Sequence, residues 1–176
     1  EQDEGDAAIG GARTQGGSDV VVVGWSMGGT AAVLAAGRGR NREVVRGLVL
    51  DSPALDWPSL LRQQAKLAHL PAAIAELGVL LLRLGLVRGA VAGVRGTDLA
   101  ALTAQKLAAL IRVPTLIHAS AGDTFVPWEG SLRVAQLRSS FVRLHPSRGE
   151  HVKLWNADPV GWEAETAHFL RQLDEV

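Results

Sequence analysis

The sequence predicts an α/β fold in which a mostly parallel sheet is flanked by helices. Strand-like and helix-like segments alternate along the chain, as the crossovers of a parallel sheet require. The β-branched run Asp19–Gly24 has the composition of a strand buried on both faces, and a segment of helix formers follows it at once. With 176 residues, of which 47% are hydrophobic, the chain has enough material for a single domain, 1–176.

The first elements are assigned from apolar runs and from the residues that end them. Glu1–Ser18 is acidic and rich in small residues, which predicts a weak helix end or a loop that contributes little to the core. Asp19–Gly24 predicts a central strand, and Met27–Ala36 predicts a helix that the glycines beyond it can end. Val44–Leu50 predicts a second strand, which stops at Pro53 because proline has no amide hydrogen to extend a ladder.

The remaining elements include one long helical region. Leucine and alanine dominate Leu55–Leu110, where prolines and glycines divide the segment into several helices. A region of about fifty residues exceeds what a single crossover needs, so 55–110 is predicted to contain a helical cap. Two more strands are predicted, Val113–His118 and Phe141–His145, of which the second alternates more and is placed nearer to an edge. Helices are predicted over Glu129–Arg138 and Pro159–Leu173.

Charge and composition exclude several classes of function. The 18 basic and 18 acidic residues balance, so the chain lacks the positive field that would attract nucleic acid or an anionic membrane surface. It has no cysteine and no tyrosine, which excludes thiol nucleophiles, iron–sulfur clusters and a tyrosine acid or base. Leu77–Val94 has the length of a weak membrane span, but Arg83 and Arg88 interrupt it, so a cap helix is the preferred interpretation.

One motif predicts a nucleophile. Gly24-Trp25-Ser26-Met27-Gly28 matches G-x-S-x-G, a strained strand-to-helix turn that exposes a serine hydroxyl. The match lies between the run of valines and the helical segment, which is the setting that this motif requires. Ser26 is therefore the candidate nucleophile, with a glycine-rich turn and an idle serine as the alternative.

A serine hydroxyl needs a neighbouring base, and that base needs a carboxylate to orient it. Asp123 follows the third predicted strand and His151 follows the fourth, so both lie at the carboxyl end of the sheet, where sites in α/β proteins assemble. Asp51, which ends the second strand, is the alternative acid. His118 lies inside a strand and is interpreted as a hydrogen-bonded histidine of the core or rim. The remaining histidines lie on helices or at a strand end: His69, His145 and His168.

Neither a metal nor a cofactor is predicted. The five histidines are scattered without metal-ligand spacing, and the glycines after the first strand lack the G-x-G-x-x-G spacing of a dinucleotide loop. Trp25, Trp128 and Trp155 lie close in sequence to the three candidate residues. They are candidates for the walls of a substrate pocket, with ordinary packing as the alternative.

Three segments carry a family resemblance: GWSMGG, PTLIH with the following GDTFVP, and GEHVKLWNADP. They resemble the α/β-hydrolase superfamily, specifically bacterial serine hydrolases of the esterase and serine-aminopeptidase-like group. The resemblance covers Val20–Leu173. It implies Ser26 as the nucleophile, Asp123 as the acid and His151 as the base, in the chain order of that family. It also implies that the backbone amide of Met27 donates to an oxyanion hole.

The resemblance implies a hydrolase that cleaves small-molecule carboxylic esters through an acyl-enzyme. An acyltransferase or a thioesterase would use the same three residues and differ in the acceptor. A member of another class, a non-catalytic α/β binding module, would keep these residues without a completed site. The esterase is the preferred interpretation, although the motifs themselves do not specify a substrate.

The beginning of the chain departs from the family pattern. The family implies about eight strands with the nucleophile after the fifth, yet four strands are predicted here and the turn begins at Gly24. The sequence therefore looks like the C-terminal part of the fold, without the loop that supplies a second oxyanion amide. Glu1 is not a translation start, and localisation stays open, with the cytoplasm slightly favoured. A strand at 19–23 without its family neighbour predicts one of three outcomes: the chain is a fragment of a longer one, it self-associates through that edge, or it is only marginally soluble.

Overall fold

The computed structural model describes residues 2–83 and 102–175, and its strands form one parallel sheet in the order β1-β2-β3-β4. The strands are β1 Val20–Trp25, β2 Val45–Asp51, β3 Thr115–Ala119 and β4 Val142–Pro146. The helices of the described ranges are α1 Gln2–Thr14, α2 Met27–Arg38, α3 Trp57–Leu67, α4 Ala72–Arg83, α5 Ala104–Ala108, α6 Glu129–Leu137, α7 Leu154–Ala157 and α8 Pro159–Asp174, with a short 3-10 helix at Arg42–Val44. The predicted α/β fold with a mostly parallel sheet is confirmed.

The two inner strands are almost entirely buried. Every residue of β3 is buried, and so is every residue of β2 except Arg46. The strands are in register at their carboxyl ends, where Trp25 pairs with Asp51 and Asp51 pairs with His118. Because all four strands run the same way, the residues that follow them meet at one edge of the sheet.

Helices cover both faces of this sheet. The larger core contains Leu48 and Ile117 of the sheet together with buried residues of α2, α5 and α6. A smaller core on the opposite face joins Val49 and Leu116 to Phe169 of α8. Successive strand residues point to opposite faces, so two layers of helix can each bury a different set of side chains. In the described sheet β4 pairs with β3 and lies at the end of the strand order, as expected for a strand nearer to an edge.

The first segment differs from its prediction, because 2–14 forms the regular helix α1. Its Ile9 is buried in the larger core with 3% of its surface exposed. The small residues that weaken the apolar pattern allow close approach: a β-carbon placed on Gly5 would lie 3.2 Å from the Ala35 Cβ of α2. Asp6 Oδ1 also accepts a hydrogen bond from the Asn41 backbone amide at 3.0 Å. Packing against α2 thus stabilises a helix that the sequence pattern alone does not indicate.

The position of β1 also differs from the prediction of a central strand. In the described sheet β1 pairs with β2 on one side and lies at the end of the strand order. Its Val23 is 44% exposed, although the run of valines has the composition of a strand covered on both faces. In the described sheet, this is the edge through which the sequence predicts self-association. Self-association through it stays a prediction.

The helical region 55–110 contains α3, α4 and α5 in its described parts, and 84–101 lies outside the described residues. Gln63 and Gln64 of α3 donate hydrogen bonds to the backbone oxygens of Thr124 and Phe125, which ties α3 to the loop after β3. The role of this region as a cap stays a prediction. Within the described ranges, every helix is too short or too polar to cross a membrane.

Candidate active site

Ser26 occupies the turn between β1 and α2 in an unusual backbone conformation. Its φ of 51° and ψ of −120° lie in a region that L-residues rarely adopt. Three backbone hydrogen bonds hold this turn: the Ser26 amide donates to the Asp51 carbonyl, and the Ser26 carbonyl accepts from Gly29 and Ala54, all at 3.0 Å. These hydrogen bonds to α2 and to the end of β2 and the loop after it therefore hold Ser26 in its strained conformation.

The glycines of the motif have unequal roles. A β-carbon placed on Gly24 would lie 2.7 Å from the Gly28 carbonyl oxygen and 2.9 Å from the Gly29 Cα, and both are backbone atoms that cannot move aside. A β-carbon on Gly29 would lie 2.6 Å from the Pro53 Cβ. At Gly28, apart from its chain neighbours and the adjacent backbone of α2, no atom of the described residues lies within 4 Å of that position. The close approach of β1 to α2 thus requires the first motif glycine and not the second.

Substitution of Gly24 by alanine is expected to lower the free energy of unfolding by about 1–3 kcal/mol, since the added methyl group overpacks the turn. Gly28→Ala is the matched control. It is expected to leave stability unchanged or to raise it by up to about 1 kcal/mol, because alanine favours a helix more than glycine does. Urea unfolding of both variants checks the pair. Equal losses in the two variants would contradict the steric account.

Asp123 lies in the loop after β3 with its side chain 3% exposed. Its Oδ1 accepts hydrogen bonds from the backbone amides of Phe125 and Val126, both at 2.9 Å. These two donors hold the carboxylate in one orientation and satisfy one of its oxygens. The other oxygen, Oδ2, is left facing His151.

His151 lies in the loop after β4 and contacts both other candidates. Its Nδ1 lies 2.8 Å from Asp123 Oδ2, and its Nε2 lies 2.9 Å from Ser26 Oγ. The Phe125 ring stacks on the imidazole, with ring centroids 4.9 Å apart. The structure therefore brings Ser26, Asp123 and His151 together in one hydrogen-bonded row, although they come from three separate loops.

Asp51, the alternative acid, is buried nearby with different partners. It is 1% exposed, and its two oxygens accept hydrogen bonds from Ser52 Oγ and Trp162 Nε1, both at 2.9 Å. Burial raises the pKa of this carboxyl above its usual value, while these two donors oppose the shift. The His151 ring instead makes its hydrogen bond to Asp123. Asp51 thus lies beneath the three candidate residues and makes its side-chain hydrogen bonds to Ser52 and Trp162.

His118 of β3 is completely buried against α8, as a histidine of the core. Its Nε2 lies 3.0 Å from Thr166 Oγ1, and the Trp162 ring stacks on it with centroids 4.9 Å apart. Burial lowers the pKa of His118 to about 4, and the nearby charges of His145 and Arg143 act in the same direction. The folded protein therefore holds this imidazole neutral.

Acidification is expected to destabilise the fold through His118. Well above pH 6.5 both states carry a neutral ring, but as the pH falls through 6.5 towards 4 the unfolded chain takes up a proton that the folded protein does not. The unfolding free energy should fall by up to about 3 kcal/mol over this window from this residue. Urea unfolding at several pH values checks it, with His118→Phe as the control that keeps an aromatic ring. If the unfolding free energy of His118→Phe fell with pH as steeply as that of the wild type, His118 would not be the cause of the loss.

The three tryptophans of the predicted pocket lie in different surroundings. Trp25, next to Ser26, is 50% exposed, whereas Trp128 packs against the larger core. Trp155 donates a hydrogen bond from Nε1 to Glu163 of α8. A cavity of about 410 Å³ is lined by other residues: His145, Pro146, Ser147, Arg148, Leu154, Ala157, Asp158 and Trp162. A role for the three tryptophans in a substrate pocket stays a prediction.

Two contacts of the site were missed by sequence reasoning. Phe125 lies inside the GDTFVP segment, two residues after Asp123, and stacking on His151 could have been considered from that proximity. Ser52 contacts the loop of His151 from 100 residues away, and no sequence pattern indicates that pairing. In the described part of the chain, no three histidine, aspartate or glutamate side chains form a group that could hold a metal ion.

The chain matches a family model over nearly its whole length. The model describes the alpha/beta hydrolase family and matches residues 2–175. This chain belongs to the α/β hydrolase family. No curated protein sequence matches the chain at a significant level.

Solved structures of the α/β hydrolase family share its fold. The esterase Pf2001 of Pyrococcus furiosus is similar with a TM-score of 0.69 and 17% identity, over 95% of this chain and 59% of that chain. The monoacylglycerol lipase of Paleococcus ferrophilus is similar with a TM-score of 0.61 and 17% identity, over 99% of this chain and 76% of that chain. The α/β hydrolase MGS-MChE2 comes from a sediment metagenome of the Mar Chica lagoon in Morocco. It is similar with a TM-score of 0.64 and 17% identity, over 97% of this chain and 69% of that chain. At this identity the likeness establishes the fold, and the chain spans 59% of the length of Pf2001.

Proposed function

We propose that this member of the α/β hydrolase family is a serine hydrolase that cleaves carboxylic esters through an acyl-enzyme. The observation that supports the proposal is the row of hydrogen bonds from Ser26 Oγ through both nitrogens of His151 to Asp123 Oδ2, at 2.9 and 2.8 Å. A nucleophile, a base and an orienting carboxylate in this order are what acyl transfer by serine requires.

In the proposed reaction, Ser26 Oγ attacks the ester carbonyl carbon while His151 Nε2 accepts the hydroxyl proton. His151 then gives this proton to the alkoxide that leaves, so the alcohol departs and the acyl group stays on Ser26. Water attacks the acyl-enzyme by the same route, with His151 as the base, and releases the carboxylic acid. Throughout, Asp123 Oδ2 accepts from Nδ1–H and holds the ring in the required tautomer.

The backbone amide of Met27 is the proposed hydrogen-bond donor to the oxyanion of the tetrahedral intermediate. Met27 is the first residue of α2, and the first amides of a helix have no partner within the helix. The positive end of the helix dipole adds to the field of this donor. Removal of one oxyanion donor typically costs about 10²–10³ in turnover, so the Met27 amide is expected to contribute on this order.

A fluorophosphonate probe tests the proposal, because it bonds covalently to an activated serine hydroxyl. One adduct per chain, on the peptide that contains Ser26, is expected, together with turnover of a short-chain nitrophenyl ester. Absence of an adduct, or an adduct on another serine, would overturn the assignment. Addition of an alcohol or a thiol acceptor separates the hydrolase from an acyltransferase, since an acyltransferase would form the new ester or thioester in preference to the free acid.

A further inference from the structure

Beneath the three candidate residues, the end of β2 joins the loops of the nucleophile and the base. The Asp51 carbonyl accepts from the Ser26 amide at 3.0 Å, and the next residue, Ser52, accepts from the Val152 amide through Oγ at 3.2 Å. Val152 directly follows His151 in the chain. Two consecutive residues of one strand end therefore hold the backbone beside Ser26 and the backbone beside His151.

The hydroxyl of Ser52 has a defined orientation. Its proton is donated to Asp51 Oδ1 at 2.9 Å, which leaves a lone pair free to accept from the Val152 amide. Trp162 Nε1 donates to the other oxygen of Asp51 and fixes the carboxylate in turn. Ser52 is 3% exposed, so water cannot readily replace it as the acceptor for Val152.

The two residues joined by this hydrogen bond both have strained backbones. Ser52 has a φ of 48° and Val152 has a φ of 51°, in the left-handed region that favours glycine. For valine this conformation is costly, since its β-branched side chain crowds the backbone. Such a conformation persists only where surrounding contacts hold it, and the bond to Ser52 Oγ is one such contact.

We propose that Ser52 is a positioning residue for His151: its hydroxyl holds the loop after β4 so that the imidazole reaches Ser26. The inference rests on the proposed function, because it assigns a role in placing the proposed base. Without the hydroxyl, the strained Val152 can relax and carry His151 away from the Ser26 hydroxyl. A misplacement of about 1 Å can cost on the order of 100-fold in rate.

Ser52→Ala is expected to lower kcat for a nitrophenyl ester by about 10- to 100-fold, with KM within about twofold, since the ring is displaced while the substrate surface is intact. Ser52→Gly should show the same loss in kcat. This variant guards against misfolding, because glycine adopts the positive φ at position 52 without strain. Ser131→Ala removes a buried hydroxyl from α6 and serves as the control for loss of a buried serine. Equal kinetics of Ser52→Ala and Ser131→Ala would overturn the proposal.

A double-mutant cycle with Val152→Gly separates positioning from general loss of stability. Glycine at 152 can hold a φ of 51° without strain, so the hydroxyl of Ser52 has less to hold in place. The loss in kcat caused by Ser52→Ala should therefore be at least several-fold smaller in the Val152→Gly background than in the wild type. If Ser52→Ala lowered kcat by the same factor in the Val152→Gly background as in the wild type, the proposal would be overturned.

Two measurements keep this inference distinct from the proposed function. Hydrogen exchange at the Val152 amide should be faster in Ser52→Ala than in the wild type, and this readout does not depend on catalysis. Fluorophosphonate labelling of the wild type reports the proposed function itself: no labelling would overturn that function and this inference with it. Normal labelling of the wild type with equal labelling of Ser52→Ala would overturn the positioning role alone.

Discussion

Ser26→Ala is expected to lower ester turnover by about 10⁴–10⁶-fold and to abolish fluorophosphonate labelling. The substitution removes the only atom in the row of hydrogen bonds that can form the acyl-enzyme, and the loss of a serine nucleophile has effects of this order elsewhere. The fold should persist, because alanine and serine meet the same backbone strain at a φ of 51°. The variant is compared with the wild type by kcat and by the rate of labelling.

Ser18→Ala is the matched control for this experiment. Ser18 is exposed and its hydroxyl donates to Asp19 just before β1, so its removal leaves the candidate site intact. This variant should retain wild-type labelling and turnover. Turnover by Ser26→Ala within about tenfold of the wild type would show that the ester is cleaved elsewhere or by another group.

The fold class and the meeting of the three candidate residues could be predicted because local patterns specify them. The run of valines, the G-x-S-x-G turn and the helix after it are contiguous in sequence, so their order alone predicts the position of Ser26. Asp123 and His151 each follow a strand. Parallel strands end at one edge of the sheet, so this placement predicts that the two residues meet Ser26.

Other features depend on packing between distant segments and have no local signature. α1 is held by close approach to Ala35 and by the bond from Asn41 to Asp6, neither of which alters its own hydrophobic pattern. The bond from the Val152 amide to Ser52 joins residues 100 positions apart. The strain at Val152 is likewise set by tertiary contacts, since valine itself disfavours a positive φ.

The pairing of His151 with Asp123, with Asp51 as the alternative acid, leads to the second large prediction. Asp123→Asn is expected to lower kcat by about 10⁴-fold. The backbone amides of Phe125 and Val126 donate to Oδ1, so the asparagine will place its oxygen there and turn its NH₂ group towards His151. The imidazole must then accept at Nδ1 and carry its proton on Nε2, where it can no longer take the proton of Ser26.

Asp51→Asn provides the comparison for this test. An asparagine can still accept from Ser52 or from Trp162, and the bond between His151 and Asp123 is untouched, so kcat should fall by about tenfold or less. Both variants are measured for kcat, KM and unfolding by urea, which separates a lost orientation of the base from a weakened fold. If Asp51→Asn instead caused the larger loss in kcat with its stability preserved, Asp51 would be the acid that serves His151. Asp123 would then have only the structural role of fixing its loop through the amides of Phe125 and Val126.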